Sequence, residues 1–283
     1  MNETILSAAH QSPPRAPSAR GETPLKRAMA APGVLRMVLA NPPANALSDA
    51  LIAALRAALS EAAEDSAVRV VILAAEGNIF SAGHDLKEIT AHRGDADRGR
   101  AYYADLMARM AALAQEIVRN PKPVIADVQG LATAAGCQLV ASCDLAVAAP
   151  GARFATPGVN IGLFCSTPMV ALSRNVAPKH AMEMLLTGGD ISAVRARDIG
   201  LVNILADHGD AAGSIALELA QRISAKPAAI VRIGKRAFYE QAEMGLAEAY
   251  AHAARVMTEN MLARDAEEGI GAFLEKRKAR WEG

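Results

Sequence analysis

The chain has 283 residues, enough for one large domain or for one domain with a helical appendage. Lys plus Arg and Asp plus Glu stand at 30 each, so no net charge draws the chain to nucleic acid or to an anionic membrane, and an anionic ligand must meet a local site. Apolar residues make up 52% but aromatics only 4%, so the core is built from Ala, Val, Ile, Leu and Met, and no apolar run reaches the ~20 residues that span a bilayer.

Residues 1 to about 30 scatter Pro13, Pro14, Pro17 and Pro24 among Ser, Ala and Arg, with no apolar stretch of the kind a secretory signal carries. They read as a disordered leader, or as an organelle transit peptide, since Arg15, Arg20, Lys26 and Arg27 outnumber Glu3 and Glu22. The expected location follows that choice: cytoplasmic in a bacterium, mitochondrial matrix if the leader is a transit peptide. From Val34 the pattern becomes regular. Residues 34–39 read as a strand, Asn41-Pro42-Pro43 as a turn, and Ser48 as the cap of a helix with Leu51, Ile52, Leu55 and Leu59 as its apolar stripe. Residues 68–73 form a β-branched strand buried on both faces, and Glu76-Gly77-Asn78 turns the chain after it.

A charged stretch from about 91 to 100 predicts a surface loop, followed by a helix that Asn120-Pro121 ends. Residues 123–128 form the next buried strand, and a small-residue segment then opens a helix near Ala135. Short strands fit 145–148, 153–155 and 201–205, with one helix bracketed by Ser192 and Gly200. Everything after Asp210 is helical by period, ending in a basic amphipathic run to Trp281. The order predicts an α/β protein with a helical tail. No GxGxxG follows the first strand, so a dinucleotide-binding reading is weak. Cys137, Cys143 and Cys165 show no CxxC spacing and no paired histidines, so they read as reduced thiols rather than a metal site.

Two segments carry chemistry. Phe80-Ser81-Ala82-Gly83-His84-Asp85-Leu86-Lys87 follows one buried strand, with Gly83 suited to a sharp turn and Asp85 to capping a helix. Residues 128–138 follow another, with Ala132, Ala134, Ala135 and Gly136 letting a ligand approach the backbone ahead of a helix N-terminus. Alone, each reads equally as a strand-to-helix turn. Together they offer one backbone N–H from each of two strand ends, as an oxyanion hole for a thioester carbonyl requires.

This pairing resembles the crotonase (enoyl-CoA hydratase/isomerase) family from about Val34 to the C-terminus. The likeness rests on Asn41 to Ser48, Ser81 to Leu86, Asn120 to Ala126, Cys143-Asp144-Leu145, Leu186-Thr187-Gly188, Gly200-Leu201-Val202 and Ala272 to Arg277. Within the family, residues 130–144 and 154–160 look like the mitochondrial enoyl-CoA hydratase domain-containing subgroup, its third member in particular. The resemblance implies a spiral of ββα turns over 31–209 and a helical trimerisation and CoA-covering region over 210–283, in a homotrimer or a hexamer of paired trimers. It implies oxyanion donors at His84 and Ala135, and CoA lying along Ala82, His84, Asp85, Leu86 and Lys87. Phe273 and Lys276 would reach the CoA of the same or a neighbouring subunit. No cofactor beyond the CoA moiety, and no metal, is implied.

The departures matter most. The positions of the two hydratase carboxylates hold Gln138 and Gly158, and a third position, used by dienoyl-CoA isomerases, holds Ser166. None of these exchanges a proton near neutrality, and each such group is worth about 10²–10⁴-fold. What remains is an enolate-stabilising pocket lined by His84, Gln138, Asn160, Cys165 and Ser166. His84 acts either through its backbone alone or as the proton carrier; Ser-Ala-Gly-His-Asp is also the loop form of methylmalonyl-CoA decarboxylases. The expected function is an acyl-CoA enzyme acting through enolate stabilisation, with decarboxylation or isomerisation easier to reconcile than hydration. The alternative is a non-catalytic acyl-CoA-binding oligomer.

Overall fold

The computed structural model describes residues 23–209 and 211–281. Strands β1 (Leu25–Ala31), β2 (Val34–Leu39), β3 (Val70–Ala75), β5 (Val124–Val128), β7 (Leu145–Ala148) and β10 (Ile204–Leu205) lie side by side in one sheet. A second sheet holds β4 (Ile79–Ser81), β6 (Leu131–Thr133), β8 (Arg153–Ala155) and β9 (Asp190–Ser192). All pairings are parallel except β1 with β2 and β8 with β9. Between them run α1 (Asp49–Glu64), α2 (Leu86–Ala91), α3 (Arg100–Arg119), α4 (Ala135–Ser142), α5 (Ser166–Leu172), α6 (Pro178–Thr187) and α7 (Ala193–Asp198). Three times in succession the chain deals one strand to each sheet and then turns into helix: β3–β4–α2, β5–β6–α4 and β7–β8–α5. That repeat is the expected ββα spiral.

The central strands of the six-stranded sheet are buried on both faces because they alternate between two apolar clusters. Val71, Leu73, Val124 and Ala126 face α1, α3 and α4 in the larger core. Val70, Ile72, Ile125 and Val147 face α8 (Ala211–Ser224), which presents Ala212, Ala216 and Ala220 at a four-residue spacing. Three alanines on one stripe let the helix lie close against the sheet. Local signals also hold: Ser48 caps α1, accepting from the Leu51 N–H at 3.3 Å, and Ser192 caps α7, accepting from Arg195 at 3.2 Å.

Three expectations need correction. The irregular leader expected to run to residue 30 gives way to strand β1 at Leu25. This is an edge strand that buries only Leu25, so it carries no alternation to read; the leader's first 22 residues lie outside the described residues. The strand expected over 201–205 is confined to Ile204–Leu205. The basic run to Trp281 is not helical to its end. After α9 (Ala228–Gln241) and α10 (Leu246–Met261), α11 (Arg264–Leu274) stops, and Lys276 turns the chain with φ +56°. Arg277 then folds back onto Glu268 (2.6 and 2.9 Å), with the Arg280 N–H on the same carboxylate at 2.7 Å. Trp281 lies over Gly269, where a Cβ would stand 3.2 Å from the ring.

The tail helices meet the spiral through a buried polar knot. On α9, Lys235 Nζ donates to the carbonyls of Ile117 and Lys122 (both 3.1 Å) and to Asp144 Oδ2 (2.7 Å). Tyr239 OH donates to Asp144 Oδ1 at 3.0 Å. Burial lowers the Lys235 pKa, and Asp144 opposes that shift.

Candidate active site

The site gathers at the C-terminal ends of β4, β6 and β8. Two residues after β4, Gly83 turns with φ +85° and packs so closely on the start of α4 that a Cβ there would lie 2.9 Å from the Ala134 Cβ and 3.1 Å from the Ala135 nitrogen. Gly136 is pressed harder still: a Cβ would stand 2.4 Å from the Ser81 carbonyl oxygen. Only glycines allow the two strand ends to close on each other.

The orientation of the two amides follows from their neighbours. The Leu47 N–H donates to the Gly83 carbonyl (2.8 Å), and the Asp85 N–H donates to the Leu47 carbonyl (3.4 Å). Alternation along an extended chain therefore points the His84 N–H to the opposite side, where Ala135 lies. Ala135 is the first residue of α4, so its N–H has no carbonyl one turn back to meet. It follows Ala134, held at φ 51° and ψ −120° by its N–H bond to the Ala155 carbonyl (3.0 Å). A side chain in such a region costs about 1–3 kcal/mol, and such strain concentrates where a functional group is being aimed. Two converging amides at a helix N-terminus can stabilise a negatively charged oxygen.

A family model described as enoyl-CoA hydratase/isomerase matches residues 30–283. The chain belongs to the enoyl-CoA hydratase/isomerase family. It is 45% identical over 260 residues to the enoyl-CoA hydratase domain-containing protein 3, mitochondrial, of Xenopus laevis, covering 92% of this chain and 86% of that one. To the Homo sapiens protein of the same name it is 44% identical over 250 residues, covering 88% and 80%. Among solved structures, an enoyl-CoA hydratase of Mycobacterium smegmatis superposes with TM-score 0.87 at 50% identity, covering 92% of this chain and 99% of that one. The human enoyl-CoA hydratase domain-containing protein 3 superposes with TM-score 0.86 at 43% identity, covering 91% and 100%. The subgroup likeness read from residues 130–144 and 154–160 thus extends along most of the chain.

Of the residues expected to line an enoyl-CoA hydratase/isomerase pocket, three are turned inward. Gln138 is buried on α4, and its Oε1 has no partner. Cys165 is buried at the start of α5, where its Sγ accepts from the Gly158 N–H at 3.3 Å and burial raises its thiol pKa. The His84 ring has both nitrogens shut from solvent and unpartnered. Burial, then Arg109, push its pKa down to about 4, with Asp49 opposing. That shift favours the neutral imidazole at pH 7.

The other two turn away. Asn160 is exposed and donates to the Gly188 carbonyl at 3.2 Å. Ser166 is exposed on the first turn of α5, its hydroxyl on the Phe164 carbonyl at 3.3 Å. Gly158 is buried, and what crowds it is space rather than torsion: a Cβ would lie 3.0 Å from Cys165 Sγ and 3.1 Å from the Leu163 carbonyl oxygen. Cys137, next to Gln138, is inert, its thiol raised to about 12 by burial and by Cys165.

Around the mouth, Ala82, Leu86 and Lys87 are exposed, while Asp85 caps α2 by accepting from the Lys87 N–H at 2.8 Å. Phe273, 83% exposed, and Lys276 sit on the tail, and within one chain no hydrogen bond ties either to the 82–87 loop among the described residues. Sequence reasoning gave no role to Thr156, which follows β8 fully buried with its hydroxyl unpartnered. It also missed the frame behind His84. There Asp49 accepts from Arg109 (2.9 Å) and Tyr102 (3.3 Å), and its N–H donates to Glu88 (2.8 Å). The one signal that could have found Thr156 is its place at a parallel strand's C-terminal end, where open α/β sheets bind ligands.

Proposed function

We propose that the protein binds acyl-CoA thioesters and stabilises their enolates through the N–H groups of His84 and Ala135, without efficient hydration of enoyl-CoA. The observation that carries this reading is the closure of Gly83 onto the Ala135 amide, which sets the end of β4 against the start of α4. Losing one donor of such a pair typically costs about 10²–10³-fold in turnover. The pocket walls carry no carboxylate: Gln138 and Gly158 stand where the resemblance places the two hydratase carboxylates, beside His84, Thr156 and Cys165. The strip Ala82–Lys87, exposed at Ala82, Leu86 and Lys87, suits the CoA moiety, with Phe273 and Lys276 closing over it from the same or a neighbouring chain. No cofactor beyond that CoA is called for.

Assembly into a homotrimer or hexamer through the tail helices is part of the same reading, supported by their exposed apolar side chains. Nucleic acid is not an expected partner, and no described helix is long and apolar enough to cross a membrane. The Xenopus laevis and Homo sapiens relatives are called mitochondrial, which favours a matrix location where the leader acts as a transit peptide; in a bacterium the location would be cytoplasmic.

Calorimetric titration with a series of acyl-CoAs should give saturable heat; none with any of them removes the reading. Crotonyl-CoA hydration should be slow or absent in the wild type, and brisk hydration would show that a surrogate carboxylate was missed. The crowding at Gly158 predicts that Gln138→Glu alone is tolerated, whereas adding Gly158→Glu displaces Cys165. A second reading, a non-catalytic acyl-CoA-binding oligomer, draws support from the neutral walls. A turnover panel read by mass spectrometry separates it from a decarboxylase or an isomerase.

A further inference from the structure

Two buried polar side chains stand behind the turn that aims the His84 amide. Ser81, at the end of β4, is 0% exposed, and Asn45, ahead of α1, is 3% exposed. The Ser81 hydroxyl bridges two segments: it donates to the Asn45 carbonyl at 2.8 Å and accepts from the Gly83 N–H at 3.2 Å. Asn45, at φ +49°, ties itself to the turn between β3 and β4. Its Nδ2 donates to the carbonyls of Glu76 (2.9 Å) and Ile79 (2.7 Å), and its Oδ1 accepts from the Asn41 N–H (2.9 Å).

The two peptides that flank Gly83 are therefore held by different means. A planar trans peptide sends its carbonyl and its N–H to opposite sides. The Gly83 carbonyl, in one plane with the His84 N–H, accepts the Leu47 N–H at 2.8 Å, and this backbone bond sets the line of the His84 donor. The peptide before it is held by a side chain, Ser81 Oγ, which takes the Gly83 N–H. Glycine confines φ and ψ less than any other residue, so the peptides on either side of Gly83 keep their directions only if both are anchored.

The other donor rests on the same residue. Gly136, next to Ala135, packs so closely on Ser81 that a Cβ there would lie 2.4 Å from the Ser81 carbonyl oxygen and 2.8 Å from the Ser81 Cβ. Ser81 thus backs Gly83 through its hydroxyl and the start of α4 through its backbone. An alanine would fill the strand end without a hydroxyl to desolvate. What the hydroxyl adds is the bridge from the Asn45 loop to the Gly83 turn.

We propose that Ser81 is a positioning residue of the oxyanion hole, its hydroxyl keeping the His84 N–H aimed beside that of Ala135. The proposal rests on the oxyanion reading above and adds to it the side chain that keeps the donors in line.

Infrared difference spectroscopy of bound butyryl-CoA, isotope-labelled at the thioester carbonyl, tests it without requiring turnover. Hydrogen bonds from the hole polarise the carbonyl, so its stretch should move to lower wavenumber on binding to the wild type. Ser81→Ala should lose about half or more of that displacement, while affinity, made mostly along the CoA moiety, stays within about threefold. Ser81→Cys, similar in shape but with a weakly hydrogen-bonding sulfur, should show the same loss and serves if the alanine variant does not fold. Ile72→Ala, in the core on the α8 side of the large sheet, lowers stability and should leave the displacement unchanged. A full displacement in either Ser81 variant overturns the positioning role and leaves the oxyanion hole standing. An equal loss in Ile72→Ala overturns it too, because general loosening would then suffice. A wild type that binds without displacement removes the oxyanion reading and the proposal together, and a wild type that does not bind removes the acyl-CoA reading with them.

Discussion

The spiral and the tail are built on opposite principles. In the spiral, β2, β3, β5 and β7 are covered on both faces, and Met37, Leu39, Ile72, Phe80 and Phe154 are sealed from water. In the tail beyond α8, helices α9 and α10 bury no residue and α11 only Ala272. Yet Phe238, Leu246, Tyr250, Met257, Leu262 and Phe273 are all more than half exposed. The spiral's cohesion is apolar and spread over many contacts, whereas the tail is moored through the Lys235–Asp144–Tyr239 knot and a few surface bonds. A region so apolar and so uncovered within its own chain is the surface to which the proposed assembly is assigned. The candidate site lies on the spiral.

The sharpest way to break this contrast is at the mooring. Lys235→Met leaves Asp144 buried without its cation, and breaking such a pair costs about 3–5 kcal/mol. Hydrogen exchange should show α9 to α11 losing protection first, with the strands of the spiral following only at global unfolding. Simultaneous loss throughout would mean that the tail and the spiral are one cooperative unit.

The next effect sharpens the spiral's side. The folded His84 pKa of about 4 lies below the ordinary 6.5. Above pH 6.5 both states are neutral there and the term is constant. Below it the unfolded chain takes up the proton and the folded one does not, so stability falls as pH falls from 6.5 towards 4 and then levels off. The span corresponds to about 3 kcal/mol, at 1.36 kcal/mol per pH unit. The denaturant midpoint of the wild type should fall relative to that of His84→Gln between pH 7 and pH 4; parallel curves would show that the ring is solvated. Should the protein prove catalytic, His84→Ala, which keeps the amide, should alter turnover little and leave no inflection near pH 6.5.

The smallest effect lies on the tail. Tyr250, 72% exposed, contributes little within one chain, so Tyr250→Ser should change the stability of dilute protein by less than about 0.5 kcal/mol. At higher concentration, sedimentation should show the variant shifted to smaller species. Unchanged assembly at every concentration would move the interface away from α10.

What was legible followed from short-range physics. The strands over 34–39, 145–148 and 153–155 showed themselves by apolar runs, and the caps Ser48, Asp85 and Ser192 by position before a periodic stretch. Gly83 was readable as a turn because few other residues adopt φ +85°. Edge strand β1 was not, because burying only Leu25 leaves no period to detect. The tail's fold-back was missed because it depends on Glu268 meeting Arg277 and on room for Trp281 over Gly269.

The amino-acid sequence by itself determined the order of elements, the family and the two glycine-bearing strand ends, since local propensity and motif spacing are properties of neighbouring residues. Tertiary structure alone decided which polar groups face the site. Asn160 turns to Gly188 and Ser166 to solvent, while Thr156 is sealed beside Ala134. It decided the state of His84 as well, because burial and Arg109 lower the imidazole pKa against the opposing Asp49, and both charges are brought in from other helices. Desolvation and long-range pairing depend on distances across space, and residues 91 apart, such as Asp144 and Lys235, meet only once the chain has folded.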